Sequence, residues 1–205
     1  MKTETMVWSA DEMAAGYDYL ASAFLYGPVR LDPTVQATWG ERVAKRSADL
    51  GDLWTTVTGA LAHEVDEQRA MVDFHECLEV PLPGRYVAPY ASVYLDKPVT
   101  LWGPTTWRVL QWYEQGELEW HRFRHVAAPD HMGVEWAFLA ELSADLRPEA
   151  NALRRTFIAE HVLRWVPAFL TRLESAARSP YYPALAHWGI AWIEATGTAE
   201  QGGAE

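Results

Sequence analysis

Apolar residues recur along most of this sequence at the three- and four-residue spacing that predicts amphipathic helices. A capping-box pattern begins at Ser9, and the apolar positions after it predict a helix over residues 10–26. Gly27-Pro28 ends that helix. Asp32, which a proline follows, then predicts the start of a second helix that continues towards Leu50.

Helical spacing also dominates the rest of the chain outside one proline-rich segment. Residues 53–80 keep this spacing with a break near residue 63, so two short helices fit as well as one. Later helices are predicted at residues 104–116, 130–146, 149–177 and 180–195. Pro167 lies inside the third of these and predicts a kink. No segment alternates strongly enough to predict a sheet, so the predicted fold class is all-α.

The proline-rich segment covers residues 81–104. Its five prolines and two glycines exclude a continuous helix. We expect an ordered connecting loop, because loops of this length in compact helical proteins usually carry function or join two lobes. At the end of the chain, residues 196–205 are rich in Gly, Ala and Glu and predict a disordered tail.

The charge balance limits the classes of partner. The sequence has 17 Lys and Arg against 28 Asp and Glu, a net charge of −11. This balance argues against tight binding to nucleic acid or to an anionic membrane and favours a cationic partner. Eleven Trp, nine Tyr and six Phe exceed what a core of this size requires, so we expect some aromatic side chains to face that partner.

Cysteine content and hydropathy bear on the compartment. Cys77 is the single cysteine, which excludes an internal disulfide and a cysteine-based metal cage and suits a reducing compartment. Residues 1–16 carry acids and lack the apolar run of a signal peptide, and no stretch reaches the ~18 uncharged apolar residues that span a bilayer. We therefore expect a cytoplasmic protein that is not itself exported and has no stable membrane insertion.

Enzyme motifs are absent from the sequence. It has no glycine-rich nucleotide loop, nucleophile elbow or zinc-protease motif, so we predict neither catalysis nor a cofactor or metal. One alternative is a metal-dependent helical hydrolase that uses His121, His125 and His131 with Asp130 as a carboxylate ligand. These side chains also fit solvated or capping roles. Another alternative is an adaptor that buries its aromatic surface in an obligate complex.

Two polar groups on the predicted C-terminal helices have both a structural and a functional interpretation. Asp130 precedes an apolar helix and fits a cap for its first N–H groups. The functional interpretation places that helix start at the mouth of a groove, where Asp130 and Glu135 face an arginine and His131 orients one of them or binds a peptide carbonyl. His161 lies in a stripe with Trp165 that is typical of an ordinary core.

Five short motifs follow one another along the chain. They are Phe74-His75-Glu76-Cys77-Leu78-Glu79-Val80-Pro81; Ala88-Pro89-Tyr90-Ala91-Ser92-Val93-Tyr94-Leu95-Asp96; Trp102-Gly103-Pro104-Thr105-Thr106; Pro129-Asp130-His131-Met132-Gly133 with Glu135; and Phe157, Glu160-His161 and Trp165 with Pro180-Tyr181-Tyr182-Pro183-Ala184-Leu185. In this order they resemble the TorD/DmsD family of cytoplasmic chaperones for molybdenum-containing oxidoreductases. The resemblance covers residues 10–193.

The resemblance implies a two-lobed helical bundle. Residues 1–80 would form an N-terminal lobe, residues 81–104 the connecting loop and residues 105–195 a C-terminal lobe. Such a protein binds the twin-arginine signal peptide of a molybdoenzyme catalytic subunit and holds the apo subunit back from export until its cofactor is inserted.

A receptor for that peptide needs an apolar groove flanked by carboxylates, because the peptide combines adjacent arginines with an apolar stretch. We expect the apolar stretch against Tyr90, Tyr94 and Trp102. The arginines would meet Asp96, Asp130 or Glu135. The predicted binding residues are Tyr90, Ser92, Tyr94, Asp96, Trp102, Asp130, His131, Glu135, His161 and Trp165.

Overall fold

The computed structural model describes residues 8–123, 125–197 and 201–202. These residues are mostly helical, which confirms the predicted all-α class. The helices are α1 Ala10–Leu25, α2 Pro33–Arg46, α3 Ala48–Gly59, α4 Glu64–Phe74, α5 Ala91–Leu95, α6 Pro104–Gln115, α7 Met132–Ala144, α8 Pro148–Glu160, α9 Val166–Ala176 and α10 Tyr181–Gly197. A π-helical turn, His75–Glu79, extends α4, and 3-10 turns lie at Trp120–Arg122 and Val162–Arg164.

Side-chain caps set several of the helix starts. Ser9 accepts a hydrogen bond from the Glu12 N–H, and the Glu12 carboxylate accepts one from the Ser9 N–H, which completes the predicted capping box of α1. Asp32 caps α2 as predicted. The second helix ends earlier than predicted, at Arg46 instead of near Leu50, because the Ser47 hydroxyl caps a new helix, α3.

The core lies around α7. Eleven of the 13 residues of α7 are buried, since this helix is apolar on every side. Helix α1 runs along it so closely that a Cβ on Gly133 would lie 2.5 Å from Leu25 Cγ. On the other side of α1, α10 packs against α3 and α9, and the Trp188 and Trp192 rings stack 5.3 Å apart.

Helices from both sides of the proline-rich segment therefore share one hydrophobic core. The boundary between lobes at residues 1–80 and 105–195 stays a prediction. The predicted break near residue 63 is confirmed, because α3 ends at Gly59 and α4 begins at Glu64.

Two other segments differ from the prediction. The prediction of a single kinked helix over residues 149–177 is wrong, because α8 ends at Glu160 and α9 begins at Val166. Pro167 lies in the first turn of α9, where the N–H that proline lacks would have no partner within the helix. The proline-rich segment contains the short helix α5.

The predicted tail, residues 196–205, lies only partly within the described residues. Residues 196–197 belong to α10. Gln201–Gly202 form strand β2, which pairs in parallel with strand β1, Trp8–Ser9. Residues 198–200 and 203–205 lie outside the described residues.

Candidate functional site

The start of α5 is tied to the start of α7 by backbone hydrogen bonds. The Met132 N–H donates to the Pro89 carbonyl at 2.7 Å, and the Ala91 N–H donates to the Asp130 carbonyl at 3.0 Å. Tyr90 and His131 form an antiparallel bridge between the two segments. The second and fourth sequence motifs, nearly forty residues apart in sequence, thus form one unit.

The Asp130 side chain is fully buried and caps a different helix from the predicted one. Its Oδ2 accepts a hydrogen bond from the Ser92 N–H at 2.8 Å, at the start of α5, and its Oδ1 accepts one from the Thr106 hydroxyl at 3.0 Å. The prediction that Asp130 caps the helix after it is therefore wrong. That cap belongs to His131, whose Nδ1 accepts a hydrogen bond from the Gly133 N–H at 3.1 Å.

His131 is held in its neutral form. Burial, with a smaller contribution from the nearby His125, lowers the pKa of His131 to about 3. The neutral ring accepts the capping hydrogen bond, and its plane meets Tyr90 edge to face at a centroid distance of 5.2 Å. The ring is 6% exposed, so only an edge of it is accessible.

A cavity of about 190 Å³, which we call the Tyr90 cavity, opens beside these two rings. It is lined mainly by apolar side chains from α1, the end of α4, the loop before α5 and the segment before α7: Phe24, Leu25, Phe74, Leu78, Glu79, Tyr86, Tyr90, His125, Val126, Ala127 and His131. The Tyr90 hydroxyl accepts a hydrogen bond from the Ala127 N–H at 3.2 Å. Burial raises the pKa of Tyr90, so its phenol stays protonated at neutral pH.

Glu79 is the carboxylate that lines this cavity. Its side chain is 45% exposed and pairs with the exposed His75 one turn earlier in the π-helical turn. Glu79 is not among the predicted binding residues, although it lies inside the first motif. The π-helical turn, which aims Leu78 and Glu79 at the cavity, had no signal in the sequence.

Glu135 lies in the core and not on a surface. Its Oε1 is 2.7 Å from His161 Nε2, and its Oε2 accepts a hydrogen bond from the Trp165 indole N–H at 3.1 Å. Burial raises the pKa of Glu135, while the neighbouring His161 opposes that rise. Three of the predicted binding residues thus form an internal network that links α7 to the end of α8 and the start of α9.

Asp96 is also occupied within the protein. It accepts hydrogen bonds from the N–H of Thr105, at 3.1 Å, and from the Thr105 hydroxyl, at 2.6 Å, and so caps α6. Together with Asp130 and Glu135, it is nearly or fully buried. To bind an incoming arginine, each of these three carboxylates would have to give up a hydrogen bond that orders the fold.

The remaining predicted residues, Ser92, Tyr94 and Trp102, have different surroundings. Ser92 is fully buried. Tyr94 packs against Trp165 at a centroid distance of 5.5 Å, and the Arg172 guanidinium lies 4.9 Å from its ring centre. Trp102 is 42% exposed, and its indole N–H donates to the Ala127 carbonyl at 3.1 Å. Of the ten predicted residues, only Tyr90 and His131 line the Tyr90 cavity.

The three histidines of the hydrolase alternative do not form one cluster: His125 and His131 both line the Tyr90 cavity, but His121 does not. His121 lies against Trp120, His125 lies against Tyr26, and His131 caps α7. Within the described ranges, no group of three His, Cys, Asp or Glu side chains could hold a metal ion.

A family model described as "Nitrate reductase delta subunit" matches residues 43–171, which is more than half of the chain. The chain belongs to this family. Its predicted resemblance to the TorD/DmsD chaperones is also confirmed. The chain is similar to a protein from Haemophilus influenzae named "Probable Tat proofreading chaperone DmsD", with 31% identity over 108 residues. That alignment covers 53% of this chain and 48% of the relative, so the chain matches about half the length of this relative.

The matched residues, 43–171, include every predicted binding residue and Glu79. They leave out all of α1, which supplies core contacts and one wall of the Tyr90 cavity, and all of α10, which supplies core contacts. In the described residues, no helix combines the length and the apolar character that crossing a bilayer requires.

Proposed function

We propose that this protein is a proofreading chaperone for a molybdenum-containing oxidoreductase. It binds the twin-arginine signal peptide of the catalytic subunit and holds the apo subunit until its cofactor is inserted. The proposal places the protein in the cytoplasm, because the client is held before export. It assigns the protein no catalytic step.

The Tyr90 cavity carries the proposal. An exposed carboxylate at the edge of an aromatic cavity suits an arginine, whose guanidinium forms charge-assisted hydrogen bonds while its stem packs on apolar surface. Glu79 and Tyr90 provide these two elements. Asp96, Asp130 and Glu135 then act as positioning residues that hold α5, α6 and α7 around the cavity.

Calorimetry with a synthetic leader peptide tests the proposal. The peptide carries two adjacent arginines followed by an apolar stretch, and a matched peptide carries two glutamines instead. We expect the first to bind and the second to bind at least tenfold more weakly, since two charge-assisted contacts are lost. Binding should also weaken as salt rises from low to physiological strength, because exposed pairs are screened over about 10 Å at 0.1 M.

Glu79→Gln should weaken binding of the arginine peptide about 5- to 20-fold, which corresponds to one charge-assisted hydrogen bond. Glu160→Gln removes the same charge from an exposed position on α8 and serves as the control. Equal affinity for the arginine and glutamine peptides would refute the proposed function. Equal affinity of Glu79→Gln and the control would refute the role of Glu79.

A further inference from the structure

Three tryptophans form an aromatic surface on the far side of the segment His125–Ala127 from the Tyr90 cavity. Trp102 and Trp107 are 42% and 57% exposed, and Trp120 is half-buried. The Trp102 ring lies 5.9 Å from each of the other two ring centres. We call these residues the tryptophan surface. Clustered exposed aromatic rings mark interaction surfaces, because a monomer otherwise leaves costly apolar area in water.

The backbone at Trp102 supports an interaction role. Its φ angle is +60°, a left-handed conformation that a bulky residue rarely adopts and that stores strain. The hydrogen bond from its indole N–H to the Ala127 carbonyl fixes the ring in this position. This strained backbone keeps an apolar ring partly in solvent and does not increase packing in the core. We therefore expect the ring to contact a partner.

One end of the tryptophan surface is acidic. A groove of about 590 Å³ beside Trp120 is lined in part by Glu114 and Glu119. Within the described part of the chain, no cation pairs with either carboxylate. Arg122, which also lines the groove, is bound by Glu141. The groove therefore carries excess negative charge next to aromatic rings.

One face of α6 extends from the exposed rings to this acidic groove. Trp107, Leu110 and Glu114 follow at intervals of three and four residues and share one face of the helix. An extended apolar segment along this face would pass from Trp107 towards Glu114.

The Tyr90 cavity and the tryptophan surface meet at Ala127. The Ala127 N–H donates to the Tyr90 hydroxyl, and the Ala127 carbonyl accepts from the Trp102 indole. The cavity itself, at about 190 Å³, is smaller than the ~300 Å³ at which drug-sized ligand pockets begin, so it holds an arginine side chain and not a run of apolar residues. The apolar part of a leader needs another surface, and the tryptophan surface is adjacent.

We propose that the apolar stretch of the leader lies across Trp102, Trp107 and Trp120, and that Glu114 and Glu119 select a cationic residue at its far end. This inference rests on the proposed function and adds a rule of specificity. The protein reads, in order, an arginine pair, an apolar stretch and a second positive charge. Charge complementarity favours a cationic occupant, because among the described residues that line the groove Glu114 and Glu119 are carboxylates without a paired cation and Arg122 is bound by Glu141.

Two leader peptides test this rule. Both carry the arginine pair and the apolar stretch, and they differ only in a Lys or a Gln placed directly after that stretch. We expect the wild-type protein to prefer the Lys peptide about 5- to 10-fold, as for one or two solvent-accessible charge contacts. The double variant Glu114→Gln/Glu119→Gln should lose this preference and bind both peptides equally. The double variant Glu149→Gln/Glu160→Gln has the same net charge and should keep the preference.

A separate variant tests the tryptophan surface. Trp107→Ala should weaken both peptides about tenfold, as removal of an interface tryptophan does, without a change in thermal stability because the side chain is largely exposed. If Trp107→Ala and the acidic double variant bind both peptides like wild type while Glu79→Gln still weakens binding, the further inference is wrong and the proposed function stands. If wild-type protein binds neither peptide, both are wrong.

Discussion

The carboxylate of Glu135 and the imidazole of His161 form a buried pair, 2.7 Å apart, in the centre of the helical bundle. Glu135 comes from α7, and His161 follows the last residue of α8. A third group, the Trp165 indole, completes the shell around the carboxylate. This polar network lies in an aromatic-rich core, and it joins the end of α8 and the start of α9 to α7, whose capping residue His131 lines the Tyr90 cavity.

Glu135→Gln should lower the free energy of unfolding by about 1–3 kcal/mol, the cost of leaving a buried hydrogen-bonding group partly unsatisfied. The amide can keep the bond from Trp165, but it changes the group that faces His161. Urea denaturation followed by far-UV circular dichroism measures the change. Glu160→Gln, on the exposed side of α8, is the control and should stay within about 0.5 kcal/mol of wild type. A smaller loss for Glu135→Gln than for the control would exclude the network as a source of stability.

Asp130→Ala should be more damaging than Asp130→Asn. Alanine leaves the Ser92 N–H and the Thr106 hydroxyl without their acceptor, at a cost of about 2–3 kcal/mol. Asparagine can accept from Ser92 while its amide donates to the Thr106 hydroxyl, so we expect a loss of about 1 kcal/mol or less. Thermal unfolding of the two variants measures the difference. Asp32→Asn is the control, because that cap is exposed and asparagine caps equally well. Equal stability of Asp130→Ala and wild type would contradict the capping role.

The buried His131 should make the protein less stable in acid. Its folded-state pKa of about 3 lies below its ordinary value of 6.5, so between these pH values the unfolded chain binds a proton that the native state does not. Its contribution is fully present above pH 6.5 and is lost as the pH falls towards 3. The raised pKa of Glu135 acts in the opposite sense, because that contribution is lost as the pH rises through the folded-state value.

His131→Asn separates the two effects, since asparagine keeps a helix cap but does not titrate. We expect the stability difference between wild type and this variant to change by up to about 1.4 kcal/mol per pH unit across that window, with wild type losing more towards acid. Urea unfolding at a series of pH values measures it. Parallel profiles for the two proteins would show that His131 is not buried in its neutral form.

Two glycines should respond in opposite directions to alanine. A Cβ on Gly16 would lie 2.3 Å from the Trp192 ring, so Gly16→Ala forces α1 and α10 apart and should cost about 1–3 kcal/mol. A Cβ on Gly59 meets nothing within 4 Å, and Gly59→Ala should raise stability by about 0.5–1 kcal/mol through helix propensity. Differential scanning calorimetry distinguishes a lowered melting temperature from a raised one. A destabilised Gly59→Ala or a neutral Gly16→Ala would contradict this packing.

Helix positions were predictable from the sequence wherever a local signal existed. The capping box at Ser9 and the Asp32-Pro33 pair fixed the starts of α1 and α2, because a cap needs only residues within one turn. The break at Ser47 was missed, since a serine inside an apolar periodicity fits both a continuing helix and a new cap. The division of residues 149–177 was missed for a similar reason: a proline at position 167 fits a kink as well as a first turn.

The sequence alone determined the helical class, most helix boundaries, the family and the residues that surround the start of α7. It did not determine what the carboxylates do. Asp130 and Ser92 are 38 positions apart, and Glu135 and His161 are 26 apart, so only chain folding brings each acid to its partner. The tertiary structure therefore decided that Asp96, Asp130 and Glu135 bind within the protein and that Glu79 remains at the rim of the cavity, because burial and hydrogen bonding depend on neighbours that periodicity does not encode.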